Sequence, residues 1–282
     1  MSDREVFTVE VAGGSLAGWV TGDGPRVILL HGGPGLSYAY MEPVVEELQS
    51  HFRVATFQQR GLAPSTREGP FTIAQAIDDV ASVITALDWP RALVVGHSWG
   101  GHLALRFAAA RPELLLAVLA IDPGPGIVGD GGRAAFEAEL IARVPKDGRD
   151  RFRVLEEREK AGEATPGEGL EAQQILWGAY FANPENVPPL PPLQIATEVF
   201  ESLMAEVGAG TDEVVAALST GAVRYGVVAG AASPMPWGQA ARASVEVSPN
   251  AFLHVITGAG HFVWYESPGA VRSAVQRLIA SA

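Results

Sequence analysis

The sequence predicts an α/β fold in which a mostly parallel central sheet is flanked by helices, with a helical cap inserted after the sixth strand. Short apolar runs alternate with helical stretches along most of the 282 residues, which is the pattern of repeated β–α units. Residues 123–220 interrupt that pattern, because they are rich in helix formers and proline breaks and show little strand character. We therefore predict a core of residues 1–122 and 221–282 and a helical cap of residues 123–220.

The first part of the core contains a predicted hairpin and strand–helix units. Two short strands meet at the Gly13-Gly14 turn, and the continuously apolar residues 27–30 predict a buried strand. Thr72 is a suitable N-cap for a helix that runs to about Leu87. The other predicted elements of this part are, in order, a helix near 39–49 and a strand at 53–57.

The second part of the core continues the alternation on both sides of the cap. Ser267-Pro268 is predicted to begin the final helix, because proline is favoured in a first helical turn. Strands that alternate with helices form a mostly parallel sheet. The other predicted elements of this part are, in order, a strand at 92–95, a helix at about 100–110, and strands at 115–121, 225–229 and 252–256.

The composition excludes several classes of function. The formal net charge of −12 does not suit nucleic acid or an anionic membrane, because phosphate binding needs clustered Lys and Arg. Without cysteine the chain can use neither a thiol nucleophile nor a Cys-ligated metal, and its histidines lack metal-ligand spacing. The N-terminus lacks an apolar leader and no apolar run reaches membrane-spanning length, so we expect a cytoplasmic protein. The sequence leaves the oligomeric state open.

A G-x-S-x-G motif lies where a buried strand gives way to an apolar helix. Its fixed positions are Gly96, Ser98 and Gly100. In that context the serine stands on a strained strand-to-helix turn, and the glycines allow strand and helix to pass closely. A chance Gly-Ser-Gly turn is the alternative without function. We predict that Ser98 is a nucleophile that forms an acyl intermediate.

A Gly-rich loop, His31-Gly32-Gly33-Pro34-Gly35, directly follows the apolar strand at 27–30. A loop in this position can supply a backbone donor for an oxyanion hole beside the serine turn. We assign the two donors to the N–H groups of Gly33 and of Trp99, the residue after the nucleophile. His31 itself is expected to hydrogen-bond the loop rather than to transfer protons.

These motifs resemble the α/β-hydrolase superfamily and, within it, the proline iminopeptidase branch of serine peptidases. The resemblance spans about residues 25–280. One loop departs from the family pattern: residues 57–65 lack the usual Asp and the second Gly, and we expect that loop to be structural. The resembling segments are His31-Gly32-Gly33-Pro34-Gly35, Gln59-Arg60-Gly61 with Ser65, Gly96-His97-Ser98-Trp99-Gly100-Gly101, and Gly258-Ala259-Gly260-His261.

His261 is the predicted general base. It lies after the last predicted strand and before the final helix, so that the serine precedes the histidine in the chain, as in this superfamily. A histidine there can accept the Ser98 proton and return it to the leaving group, because its ordinary pKa lies near neutral pH. The other histidines are expected to be packed or solvated.

In such hydrolases a carboxylate orients the histidine and completes a Ser–His–acid triad. In this sequence that acid is missing from its usual place. The family's Gly-x-x-Asp pattern after the strand that follows the cap reads Gly230-Ala231-Ala232-Ser233 here. Asp122, at the end of the strand after the serine helix, is the nearest replacement, since strand ends at that edge all face the site. Asp122 could instead only cap the turn at Pro123, and Glu266 is a third and poorer option.

Aromatic residues predict an apolar substrate pocket. Tyr38, Trp177 and Trp237 are assigned to substrate binding, although any single aromatic residue can equally belong to the core. An iminopeptidase must also recognise a free α-amino group through cap carboxylates. The candidate carboxylates are Glu171, Glu198, Glu201 and Glu206.

The predicted function is that of a cofactor-independent serine hydrolase of a small-molecule or short-peptide substrate, proline iminopeptidase-like by its resemblance. A carboxylesterase, a lactonase or a C–C bond hydrolase would use the same residues. From another class, a binding protein on a hydrolase scaffold would retain Ser98 and His261 but lack the acid. Haloalkane dehalogenases and epoxide hydrolases are disfavoured, because their nucleophile at this turn is Asp.

Overall fold

The computed structural model describes residues 4–280, apart from the side chain of Pro166, and its described strands form one sheet of eight. The order across the sheet is β1-β2-β4-β3-β5-β6-β7-β8. β2 is antiparallel to both of its neighbours, and every other neighbouring pair is parallel. The strands are β1 (Glu5–Val11), β2 (Gly14–Thr21), β3 (Arg26–Leu30), β4 (Arg53–Phe57), β5 (Ala92–His97), β6 (Leu115–Ile121), β7 (Tyr225–Gly230) and β8 (Ala251–Ile256).

Helices connect the parallel strands, as such crossovers require. The α-helices are α1 (Glu42–Leu48), α2 (Ile73–Ala86), α3 (Trp99–Ala110), α4 (Arg133–Arg143), α5 (Lys146–Lys160), α6 (Pro166–Trp177), α7 (Thr197–Glu206), α8 (Thr211–Ser219), α9 (Ala243–Glu246), α10 (Val263–Glu266) and α11 (Ala270–Ala280). The predicted fold class, a mostly parallel sheet flanked by helices, is confirmed.

The two faces of the sheet bury two separate cores because successive strand side chains point to opposite sides. Ile28 and Leu30 of β3 belong to the buried cluster that includes α2 and α3. Val27 and Leu29 belong to the cluster formed with α1 and α11. β3 is therefore buried on both faces, which explains its continuously apolar sequence.

The C-terminal helix differs from the prediction. Instead of one helix beginning at Ser267-Pro268, α10 ends at Glu266 and α11 begins at Ala270. Ser267 has φ −141° and ψ 74°, outside the helical region, because a following proline disfavours it there. Gly269, with φ 88°, completes the break.

All described α-helices between β6 and β7, namely α4–α8, come from the predicted cap segment. α7 and α8 are not peripheral, since Leu203 and Leu218 share one buried cluster with Leu103 and Phe107 of α3. An isolated antiparallel bridge also joins Ile195 to Leu36, in the loop after β3. The division of the chain into core and cap stays a prediction, because these contacts continue the core into the cap.

The carboxyl ends of five parallel strands meet at one edge of the sheet. They lead into the loop at 31–35 after β3, Ser98 after β5, Asp122 after β6, Ser233 after β7 and His261 after β8. The topology thus gathers there segments that lie up to 230 residues apart in the chain. Among residues 4–280, no helix combines the length and the apolar character that crossing a membrane requires.

Candidate active site

Ser98 forms a strained turn between β5 and α3. Its φ of 53° and ψ of −118° lie in a region that residues with a Cβ rarely adopt. The turn requires the flanking glycines: a Cβ on Gly96 would collide with the carbonyl oxygen of Gly100, and one on Gly100 with that of Leu30. Ser98 is partly exposed, whereas His97 and Trp99 on either side are buried.

The Gly-rich loop after β3 lies against this turn. A Cβ on Gly32 would stand 2.9 Å from the Ser98 Cβ, so the loop and the serine are in close contact. Gly33 has φ 99°, a conformation that favours glycine. Within residues 4–280, neither the Gly33 N–H nor the Trp99 N–H has a hydrogen-bond acceptor. Both amides are thus available to a developing oxyanion.

Asp122 and His261 meet in the interior. His261 Nδ1 lies 2.5 Å from Asp122 Oδ2, and the two side chains are 3% and 1% exposed. Asp122 leaves the end of β6 with φ 43°, which turns its carboxylate towards the loop after β8. Since the carboxylate can only accept, Nδ1 carries the proton and Nε2 is left as the basic nitrogen.

Ser233, the residue in the family's usual acid position, touches Asp122. Its Oγ donates to Asp122 Oδ2 at 2.5 Å and accepts from the Met235 N–H at 3.0 Å. The Gly230 N–H donates to the other carboxylate oxygen, Oδ1, at 3.2 Å. Hydrogen bonds from β7 and from the loop after it therefore satisfy a carboxylate that β6 supplies, which lowers the cost of burying the charge.

The structure does not join Ser98 to His261 by a hydrogen bond. Within residues 4–280, Ser98 Oγ has no hydrogen-bond partner. A Cβ on Gly124, in the loop after Asp122, would stand 3.4 Å from that Oγ and 2.5 Å from Met235 Cε. Catalytic hydrogen bonds are often formed only when a substrate is bound, so this geometry is compatible with general-base catalysis.

A cap residue, Tyr180, contacts His261. The Tyr180 ring stacks on the imidazole with centroids 5.3 Å apart, and its carbonyl accepts from the His261 N–H at 2.8 Å. Phe136 of α4 lies beside the same imidazole at 5.9 Å. Burial raises the pKa of Tyr180 to about 12, so its hydroxyl stays protonated. No local motif marks Tyr180, because its role depends on a contact 81 residues away in the chain.

Glu266, the third option for the acid, is engaged elsewhere. Its Oε1 accepts from the Ala182 and Asn183 N–H groups at 2.9 and 3.0 Å, and its Oε2 from the Gly260 N–H at 2.7 Å. Glu266 thus fastens the cap segment after Tyr180 to the loop that carries His261. These contacts account for both carboxylate oxygens and are those of a structural residue.

The residues assigned to substrate binding lie in packed surroundings. Trp177 is buried, donates its indole N–H to the Pro188 carbonyl at 2.7 Å and packs on Phe262 with centroids 4.7 Å apart. Tyr38 is half-buried against the core, and Trp237 lies under the Arg242 guanidinium at 5.0 Å. The Trp177 ring and its N–H are therefore both engaged within the protein. Substrate binding by Tyr38, Trp177 and Trp237 stays a prediction.

The loop that departs from the family pattern supports the oxyanion loop. Gln58, where the family has Asp, donates to the Leu36 carbonyl at 3.2 Å and accepts from the Tyr38 N–H at 3.1 Å. Arg60 forms a buried two-point ion pair with Asp79 at 3.0 and 2.9 Å. These contacts agree with the expectation that the loop is structural.

His31 also stabilises the Gly-rich loop after β3 through hydrogen bonds. Its Nδ1 donates to the Gly32 carbonyl at 3.0 Å, and its Nε2 accepts from the Gln59 N–H at 3.0 Å. Burial lowers the pKa of His31 to about 4, so it stays neutral near pH 7. Within the described part of the chain, no group of three or more His, Asp or Glu residues is arranged to hold a metal ion.

Comparisons with known proteins find related sequences and folds. A family model described as the alpha/beta hydrolase family matches residues 27–274. The AB hydrolase superfamily protein YfhM of Bacillus subtilis is 36% identical over 110 residues, 38% of either chain. Epoxide hydrolase B of Mycobacterium tuberculosis is 31% identical over 112 residues, 38% of this chain and 32% of that protein. The chain thus spans less than two fifths of either curated relative.

Among solved structures, a proline iminopeptidase of Mycobacterium smegmatis superimposes with a TM-score of 0.68 at 22% identity. The match covers 99% of this chain and 100% of that one. At this identity the likeness concerns the fold, so the chemistry of the site has to be argued from its own residues.

Three buried histidines predict a loss of stability in acid. Burial lowers the pKa of His31 to about 4, that of His102 to about 3 and that of His97 well below its usual range. In the unfolded chain all three return to about 6.5, where they bind protons that the folded state excludes. The contribution of these neutral histidines to the free energy of unfolding is therefore complete above about pH 6.5. It is lost as the pH falls towards the pKa values of the folded state.

We expect the free energy of unfolding to fall by about 1–2 kcal/mol per histidine between pH 7 and pH 5. Urea titrations at constant ionic strength measure it. His102→Gln should flatten this dependence, and the exposed His254→Gln should leave it unchanged. If the free energy of unfolding depended on pH equally in wild type and in His102→Gln, the prediction would be contradicted.

Proposed function

Because the chain belongs to the alpha/beta hydrolase family, we propose that it is a serine hydrolase that works through an acyl-Ser98 intermediate. The buried contact of His261 Nδ1 with Asp122 Oδ2, beside the strained turn at Ser98, carries this proposal. A carboxylate in that place fixes the tautomer of the imidazole and stabilises its cation, which is the role of the acid in a triad.

In the first half-reaction Ser98 Oγ attacks the substrate carbonyl carbon while His261 Nε2 takes its proton. The carbonyl oxygen becomes an oxyanion, which the N–H groups of Gly33 and Trp99 receive. When the intermediate collapses, the bond to the leaving group breaks and His261 gives that group the proton. The acyl group is then held on Ser98 as an ester.

In the second half-reaction water attacks the acyl carbon, and His261 takes a proton from that water. The same two amides stabilise the second oxyanion. When the ester bond breaks, His261 returns the proton to Ser98 Oγ and the acid product leaves. The Asp122 carboxylate remains ionised throughout and offsets the charge of the imidazolium.

The surroundings of the site favour a substrate whose acyl part is apolar and uncharged. Phe136 and Tyr180 lie against His261, Met235 lies beside Gly124 in the loop after Asp122, and none of the three side chains carries a charge near neutral pH. An ester or amide of a neutral acid is therefore the class of substrate that we favour most. A lactone or a C–C bond adjacent to a carbonyl would meet the same groups.

Recognition of a free α-amino group, which an iminopeptidase needs, has weaker support. Glu171 is engaged by Arg151 at 2.7 Å, and Glu206 accepts from the Ile73 N–H at 2.9 Å. Glu198 and Glu201 are exposed on α7. A binding protein without catalysis also has weaker support, because Asp122 contacts His261 in the place of the missing acid.

The first test is covalent labelling with a fluorophosphonate, which reacts with activated serines. We expect one adduct on wild-type protein, with the mass shift on the peptide that contains Ser98, and none on Ser98→Ala. Ser82→Ala on α2, whose hydroxyl donates to the Asp78 carbonyl, is the matched control and should label normally. Folded wild-type protein that does not label would overturn the proposal.

The second test concerns the acid. Asp122→Asn should lower kcat by about 10⁴-fold, because the amide stabilises neither the required tautomer nor the imidazolium. Ser233→Ala removes one of the hydrogen bonds to Asp122 and should lower kcat by about tenfold or less. Steady-state kinetics on an ester substrate measure both effects. Near-full activity of a folded Asp122→Asn variant would remove Asp122 from the triad.

The third test separates the substrate classes. We expect p-nitrophenyl esters of short neutral acids to be turned over faster than L-proline p-nitroanilide. N-acetyl-L-proline p-nitroanilide is the matched control, because it differs in the amino group alone. A strong preference for the free amine over its acetylated form would favour an aminopeptidase and contradict the proposal for a neutral acyl group.

A further inference from the structure

Behind the proposed catalytic residues, a buried chain of hydrogen bonds joins the three loops that carry them. The Gly32 N–H donates to the Tyr40 hydroxyl at 2.5 Å, and that hydroxyl lies 3.0 Å from His97 Nδ1. His97 Nε2 lies 3.1 Å from the carbonyl oxygen of His261. Tyr40 and His97 are 4% and 1% exposed, so water does not compete for these bonds.

The direction of each bond follows from the chemistry of its groups. The His261 carbonyl can only accept, so His97 carries its proton on Nε2. Burial holds the pKa of His97 well below its usual range, and the neutral ring then leaves Nδ1 as an acceptor. Tyr40 therefore donates its O–H to His97 and accepts from Gly32. Every donor and acceptor in the chain is matched.

This chain of hydrogen bonds runs next to groups that the proposed reaction uses. Gly32 precedes Gly33, a proposed oxyanion donor, and His97 precedes Ser98. The His97 and His261 rings lie 4.6 Å apart, and Trp264 packs edge-on against His97 with centroids 4.8 Å apart. Fixing the His97 ring thus bears on the serine, the oxyanion loop and the base together.

We propose that Tyr40 and His97 are positioning residues of the hydrolase reaction, which hold the oxyanion amide, Ser98 and His261 in register through one buried hydrogen-bond chain. This inference rests on the proposed function and deepens it. Neither side chain needs to touch the substrate. Their expected effect is on the alignment of the reacting groups, where small displacements have large effects on rate.

The neutral state of His97 has a role of its own. A positive charge on His97 would stand beside the imidazolium that His261 becomes during each half-reaction, and the two like charges would repel. The groups that face His97 are Tyr40, His261, Phe262 and Trp264, and none of them is a carboxylate that could offset such a charge. A neutral hydrogen-bonding ring provides position without opposing the base.

Tyr40→Phe is the smallest change that breaks the chain, since it removes one oxygen and keeps the ring. We expect kcat on an ester substrate to fall about 10–100-fold while KM changes less than about twofold. The rate of fluorophosphonate labelling should fall in parallel. Tyr225→Phe is the matched control, because its buried hydroxyl donates to the Ser244 carbonyl at 2.6 Å, outside the catalytic loops.

Two variants of His97 separate the halves of the chain. His97→Gln can place an N–H near the Nε2 position and keep the bond to the His261 carbonyl, whereas His97→Asn can keep only the acceptor for Tyr40. We expect the Gln variant to retain more of kcat than the Asn variant. Proton NMR adds a readout of position: the downfield resonance of the His261 Nδ1–H should shift or broaden in Tyr40→Phe and stay in place in Tyr225→Phe.

The inference is overturned if Tyr40→Phe and Tyr225→Phe lower kcat equally and leave the His261 resonance unchanged, because the chain would then be packing alone. If the His97 variants do not fold, the comparison of the two tyrosine variants still decides. Failure of the proposed function looks different: wild-type protein would not label, or Ser98→Ala would keep full turnover.

Discussion

The close passage of α3 over β3 and β5 is the constraint on which the site depends. No side chain fits between the backbones at Gly96 and Gly100, so helix and strand meet at main-chain contact. That contact forces Ser98 into its strained turn and brings the first amides of α3 beside the loop after β3. The positions of the proposed nucleophile and oxyanion donors are thus consequences of one packing requirement, and the apolar cores on both faces of the sheet supply the energy that offsets the strain.

Burial and hydrogen bonding together determine the electrostatics of the site. Asp122 is a charge with 1% exposure, and a group of that kind is retained only if its oxygens are satisfied. β7 and its following loop satisfy them through Gly230 and Ser233, and His261 completes the set. The serine in the family's usual acid position is therefore a hydrogen-bond donor to the proposed acid, which lies at the end of the preceding strand, β6. The histidines around the site are kept neutral by burial, which leaves Asp122 as the charged partner in contact with His261.

Much of the architecture could be predicted because its signals are local. The apolar run at 27–30, the N-cap Thr72 and the Gly-x-Ser-x-Gly turn each fix an element within a few residues of sequence. Asp122 could be proposed because Ser233 occupies the family's acid position and because neighbouring parallel strands end at a common edge. The contacts of Tyr180, Tyr40 and Glu266 could not be predicted in this way, because each joins segments distant in sequence and no motif encodes it. The sequence also predicts one final helix from Ser267-Pro268, whereas Pro268 disfavours the helical region at Ser267 and thereby separates α10 from α11.

The position of Asp122 also has a consequence for how such a protein can diverge. Ser98 and Asp122 are both supplied before the chain enters the helices between β6 and β7, and His261 is supplied after it leaves them. Were the acid on the loop after β7, two of the three groups would depend on how the chain returns from those helices. Here an insertion, deletion or exchange in that segment bears first on His261, which the chain supplies after it, and on the β7 groups that hydrogen-bond Asp122. The proposed nucleophile and acid are thus supplied together by the first 122 residues, and the proposed base is the member that the chain adds after those helices.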